Sequence, residues 1–147
     1  MIRLAALLVC LSLAIPLGAG DLAAVKAEPN LEKRARRALD NADVALKAAE
    51  DAYLKDGDLE RANAALDELS QSVELAFTSL RQTGKNPLKS PRRFKEAEIK
   101  TRELLRLLAD FRQGMSALDR DPIDKVRTAI QKVHDDLLAG IMGGKKK

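Results

Sequence analysis

The 147-residue chain contains one cysteine, one histidine, one tyrosine, three phenylalanines and no tryptophan. A single cysteine excludes an internal disulfide framework and any zinc site built on several thiolates. A single histidine cannot supply the two Glu-x-x-His motifs of a di-iron helical bundle. With so few aromatics, no basic segment is interleaved with the stacking side chains that bind single-stranded nucleic acid. Five prolines and eight glycines are few enough to leave long stretches uninterrupted. No window alternates apolar and polar residues for long enough to read as a strand. The longest apolar run, Leu4 to Ala19, is 16 residues, short of the ~20 needed to cross a bilayer comfortably. Against these absences stand 46% hydrophobic and 33% charged residues, an ordinary composition for one globular domain.

That run reads as a secretory leader. Met1, Ile2 and Arg3 form a short positive start, Leu4 to Ala19 the apolar core, and Pro16, Gly18 and Gly20 a small-residue end suited to a signal peptidase. Cleavage after Gly20 places Gly18 and Gly20 at the two small-residue positions. Val25-Lys26-Ala27 offers a second site after Ala27, farther from the apolar core. Cys10 is preceded by Leu7-Leu8-Val9 and lacks the small residue of a lipidation box. The expected organisation is a leader over 1–20, a helical domain over 21–144 and a basic tail over 145–147. The destination is the periplasm or the extracellular space, with no transmembrane helix once the leader is gone. The mature chain then has no cysteine, which excludes thiol chemistry.

Apolar residues recur at helical spacing through four segments. The first, about Leu31 to Lys55, carries a seam of Leu31, Ala35, Ala38, Ala42, Ala45, Ala49 and Ala52. The second, about Leu59 to Arg81, carries Leu59, Ala62, Leu66, Leu69, Val73, Ala76 and Leu80. The third, about Pro91 to Leu118, carries Phe94, Ala97, Thr101, Leu104, Leu108, Phe111, Met115 and Leu118. The fourth, about Pro122 to Met142, carries Ile123, Val126, Ile130, Val133, Leu137 and Ile141. Asn30 and Asp58 are placed to cap the first two, Ser90-Pro91 and Asp121-Pro122 to start the others, and Gly143-Gly144 to end the last. The connections Asp56-Gly57 and Asp119-Arg120-Asp121 are short, which forces antiparallel neighbours. Gln82 to Ser90 is longer and joins the two hairpins. The expected fold is all-α: an antiparallel up-down-up-down four-helix bundle made of two helical hairpins.

The segment from Ala52 to Ala62, Ala-Tyr-Leu-Lys-Asp-Gly-Asp-Leu-Glu-Arg-Ala, resembles the core of a tetratricopeptide repeat. The Ala-Tyr pair ends one helix, Gly57-Asp58 makes the turn, and Ala62 follows where the helices cross. The resemblance covers one repeat, about residues 46–69. It implies a peptide-binding hairpin, although the family's groove needs at least about three stacked units.

The candidates for chemistry lack partners. His134 is followed by Asp135 and Asp136, but adjacent helical residues diverge by about 100° and cannot share its face; it reads as a surface histidine. Met115 and His134 would differ in height by roughly 11–14 Å, too far to ligate one haem. Glu96, Glu98 and Glu103 read as a solvated face. No Gly-rich phosphate loop and no nucleophile elbow occurs. The expectation is therefore no enzyme, no metal site and no cofactor.

Charge is the most informative feature. Asp21 to Leu80 carries 8 basic and 13 acidic residues, Arg81 to Gly114 carries 10 and 4, and Met115 to Gly144 carries 4 and 5. The net +4 of the whole chain becomes +3 without Arg3, and that remainder is the lysine tail. Arg81, Lys85, Lys89, Arg92, Arg93 and Lys95 fall within 15 residues around the long connection. The first hairpin reads as acidic, the long loop and third helix as basic. The basic residues either pair with acidic helices of the same molecule or form an anion-binding end for a protein partner or an anionic envelope component. Nucleic acid is excluded as a partner of an exported chain without interleaved aromatics, and homo-oligomers are compatible with the pattern. The expected role is structural or protein-interacting; the alternative is an anion or peptide binder using the basic loop or the tetratricopeptide-like hairpin.

Overall fold

A computed structural model describes residues 20–143. The expected leader, apart from Gly20, and the expected basic tail lie outside the described residues. Among those described there are helices and turns and no strand: α1 (Leu22–Lys26), α2 (Leu31–Leu54), α3 (Leu59–Gln82), α4 (Arg92–Gln113) and α5 (Asp121–Met142), with a 3-10 turn at Ala117–Asp119 before α5. The four long helices have 22 to 24 residues, which is ~33–36 Å each.

Each long helix forms close to where the seam predicts and buries most of it; Leu31 and Ile141 are half-buried and Leu59 is exposed. The largest fully buried side chains are Leu66, Leu69, Leu80, Leu104, Leu108, Ile123, Ile130 and Leu137, drawn from α3, α4 and α5. Removing such a side chain from water is worth about 1.5–3 kcal/mol. The interior contribution of α2 is different in kind. Its buried residues include Ala35, Ala38, Ala42, Ala45, Ala49 and Ala52, with only Leu39 and Leu46 as large apolar groups. A row of alanines lets another backbone come close, and the most extensive helix contact is that between α2 and α3. α5 packs on α4 and α3, and α2 packs more weakly on α4.

The helix ends follow local chemistry in part. Asn30 caps α2 by accepting from Lys33 N at 2.9 Å, and Asp58 caps α3 by accepting from Arg61 N at 3.0 Å. Gly57, with φ +61°, makes the left-handed step between them that other residues adopt only with strain. Gly143, also left-handed, closes α5.

Other ends differ from expectation. Ser90 does not cap α4; Pro91 holds the cap position without a side-chain bond. The Ser90 N–H is turned back onto Asn86 O at 2.8 Å, so Ser90 belongs to the preceding turn. Asp121 is the first residue of α5, and Arg120 precedes it without a side-chain cap. α4 stops at Gln113, five residues before Leu118. Gly114 follows, a poor interior helix residue, and the Ser116 N–H is taken by the Tyr53 hydroxyl at 2.9 Å. Leu118 is therefore on the 3-10 turn and 94% exposed, not in the core. The short helix α1 is absent from the periodic pattern because it is a single turn. Asp21 caps it, and its Val25 joins the core beside α2 and α3.

Candidate functional site

The long connection between α3 and α4 is an ordered loop. Thr83 Oγ1 donates to Leu80 O at 2.6 Å and accepts from Lys85 N at 3.2 Å. Asn86 Oδ1 accepts from Leu88 N at 2.9 Å, a local turn of the kind asparagine favours. The loop also meets the end of α5: a Cβ at Gly140 would lie 3.2 Å from Pro87, and one at Gly143 would lie 3.2 Å from Leu88. The loop therefore touches the end of α5 as well as joining α3 to α4. Tyr53 at the end of α2 donates its hydroxyl to Asp119, on the 3-10 turn before α5, at 2.8 Å.

All six basic residues singled out in the sequence stand around this loop, but they do not form one uncompensated patch. Glu32, on the first turn of α2, bridges two of them: Lys85 pairs with its Oε1, and Arg93 Nε lies 3.5 Å from its Oε2. Arg93 also donates to Glu96 at 2.9 Å, and Arg92 lies 3.6 Å from the same carboxylate. The Arg81 guanidinium sits over the Phe77 ring, 5.6 Å from its centre, a cation–π arrangement. Lys89 and Lys95 are exposed and form no ion pair among the described residues. The Lys85 ammonium, then the Arg93 guanidinium, hold the Glu32 carboxyl below its usual range. Glu96, then Glu32, raise Arg93.

Two depressions flank the loop. One, of about 460 Å³, is lined by Glu32, Lys85, Ser90, Arg92, Arg93 and Lys95 over Leu80 and Phe94. The other, of about 340 Å³, is lined by Phe77, Arg81, Lys85, Pro87, Phe94 and Leu137. Lys85 and Phe94 are common to both. Each has an apolar floor and a cationic rim, the chemistry that suits an anion carrying some apolar surface.

Sequence reasoning misses Glu32 and the basic start of α2. Lys33, Arg34, Arg36 and Arg37 are hidden in the net acidity of the first hairpin, yet Arg34 donates to Ser79 at 3.0 Å and to Gln82 at 2.8 Å, beside the loop. Asp51, Asp56, Asp58 and Glu60 of that hairpin lie around the α2–α3 turn. The net acidity of the first hairpin therefore coexists with a basic segment at the start of α2 that stands beside the loop. A tally within shorter windows at each helix end would have found this.

His134 is also misread as a surface residue. Its side chain is 12% exposed, its Nε2 lies 3.0 Å from Glu98 Oε1, and that glutamate is 14% exposed. The pair is held between α5 and α4, so Glu98 is not on a solvated face. His134 Nδ1 is buried without a hydrogen-bond partner. Met115 is core. Among the described residues no cluster of three or more histidine, cysteine or acidic side chains is placed to hold a metal ion, and no helix is long and apolar enough to cross a membrane.

No known protein family, no curated protein and no solved structure matches the chain. The functional reading therefore rests on its own geometry.

Proposed function

We propose that this is an exported small helical-bundle protein with a structural or protein-interaction role, acting by contact rather than by catalysis, and that the contact is made by the basic end. The helices are read as up-down-up-down, with α2 and α4 leaving the basic end and α3 and α5 returning to it. The observation that carries the reading is the convergence there of Arg81, Lys85, Lys89, Arg92, Arg93 and Lys95 with the basic first turns of α2; Glu32, Glu96 and Glu28 pair with several of these cations, and Lys89 and Lys95 form no ion pair among the described residues. An acidic group of a partner, or an anionic envelope component, would compete with Glu32 for Lys85 and Arg93 and engage the unpaired Lys89 and Lys95. Such attraction is sensitive to salt, because charges exposed to water are screened over about 8–10 Å at physiological ionic strength. The tetratricopeptide-like hairpin is the weaker candidate for binding, since its apolar seam is packed against α1, α4 and α5.

The test is retention of the leader-free chain on vesicles containing anionic lipid, with neutral vesicles and an immobilised acidic polymer as further arms. Retention at low salt that is lost at high salt, and lost in the Lys89→Glu/Lys95→Glu chain, is the expected result. No retention on any anionic surface at low salt overturns the reading of the basic end. Preference for an acidic polymer or a protein over lipid would identify the source of the negative charge.

A further inference from the structure

We propose that the leader is cleaved between Ala19 and Gly20, and that the α-ammonium group created on Gly20 is received by the buried carboxylate of Glu68. The proposal rests on the export reading above.

Glu68 lies on α3 and is 7% exposed. Burying a carboxylate is costly unless a cation and hydrogen bonds compensate it. Yet among the described residues Glu68 forms no ion pair. Its carboxylate accepts from the backbone N–H of Gly20, at 2.8 Å to Oε2. The surroundings are built for this segment. Asn41, also 7% exposed, accepts from the next backbone N–H, that of Asp21, at 3.1 Å. Its Nδ2 donates to Ser72 Oγ at 2.9 Å, and Ser72 in turn donates to Glu68 O at 2.8 Å. Three buried polar side chains of α2 and α3 thus enclose the point where the chain enters the fold.

Residue 20 itself is held by steric fit. A Cβ there would lie 2.1 Å from Asn41 Oδ1 and 2.9 Å from Asn41 Cγ. A side chain there would force Asn41 out of its hydrogen-bonded place, so Gly20 fits the folded domain as closely as the leader. Cleavage after Gly20 would remove the donor that Glu68 uses. Cleavage after Ala27 would discard α1 with its buried Val25. The leader pattern by itself is better met by Gly18 and Gly20 than by Leu17 and Ala19, and the argument for Ala19–Gly20 comes from the folded side of the bond.

Cleavage there is a hydrolysis. One water adds across the Ala19–Gly20 peptide bond, the hydroxyl ends on the Ala19 carbonyl carbon as a carboxylate, and the nitrogen gains the proton. Near neutral pH an α-amino group is largely protonated. An uncharged N–H donor facing Glu68 becomes a cation at the same place. Processing would then supply the missing counter-charge and tie the new terminus to α3.

The first measurement is the intact mass of the protein recovered from the envelope or medium of a secreting host. The expected species is residues 20–147. An exported species beginning at Asp21 or Glu28 overturns this inference and leaves the export reading intact. A full-length chain retained in the cytosol overturns the export reading, and the cleavage with it. The second measurement compares the melting temperature of a chain starting at Gly20 with that of the same chain Nα-acetylated, each with Glu68 and with Glu68→Gln. Acetylation should lower the melting temperature by a few degrees with Glu68 and change little with Glu68→Gln, which keeps the shape and an acceptor. Equal effects of acetylation in both backgrounds, or none with Glu68, overturn the pairing whatever the cleavage site.

Discussion

Replacing Ala45 by leucine tests the close approach of α2 and α3 on which both ends of the molecule depend. Ala45 has no exposed surface, and neither do Ala38, Ala42 and Ala49 on the same seam. Leucine is nearly as good a helix former as alanine, so local propensity is almost unchanged and the effect isolates packing. Three added carbons have no free volume to enter, and forcing extra methylenes into a well-packed interior costs about 1–3 kcal/mol, occasionally more. For a domain of this size each 1 kcal/mol lowers the melting temperature by about 4 °C. The expected loss is therefore about 4–12 °C, read by thermal denaturation and by urea unfolding with an unchanged slope. Ala64→Leu, at an exposed position on α3, is the control and should stay within about 0.5 kcal/mol. Leu66→Ala, at a fully buried position facing the same core, should cost about 2–5 kcal/mol by leaving a cavity. If Ala45→Leu were as harmless as Ala64→Leu, the alanine seam would not be a close contact and the packing described for α2 and α3 would be wrong.

The remaining expectations concern the end opposite the basic loop. Tyr53→Phe removes the bond to Asp119 and the acceptor for Ser116 N, and should cost about 0.5–2 kcal/mol in urea unfolding; no loss would mean that the hydroxyl does not tie the two turns together. Arg112 donates to both oxygens of Asp124, at 2.6 and 3.1 Å. That contact, Arg112 first and Arg127 after it, holds the Asp124 carboxyl below its usual range. The folded value is below the unfolded one, so the contribution is present above the unfolded value, about 3.9, and is lost as pH falls through the folded value. The melting temperature of Arg112→Ala should therefore lie below that of the parent at pH 7, and the gap should close as pH falls through the folded value. A gap that persists there would assign the effect to packing of the arginine stem rather than to charge.

Much of the fold is legible in the sequence because it is decided locally. Heptad spacing places the four long helices to within a few residues. Asn30, Asp58 and Gly57 act on neighbours one to four residues away and behave as their chemistry dictates. Two of the errors lie where a distant group intervenes. The expected extension of α4 to Leu118 fails because Tyr53, from another helix, takes the Ser116 N–H. His134 reads as a surface residue until α4 brings Glu98 against it. Of the candidate site, the six cations are visible as a cluster in sequence, whereas their compensation by Glu32, 53 residues before Lys85, is not.

The sequence by itself determined which segments are helical, which face of each is apolar, and that basic residues gather at one connection. Each of these follows from periodicity, capping and composition over short separations. Only the tertiary structure decided that the basic start of α2 stands beside the loop, which cations are already paired, and that a buried carboxylate meets the backbone of Gly20. They rest on contacts such as Arg34–Ser79, Gly20–Glu68 and Glu32–Lys85, between residues 45 to 53 positions apart. They are set by how the hairpins pack, and the alanine seam of α2 shows its consequence only when a partner helix closes on it.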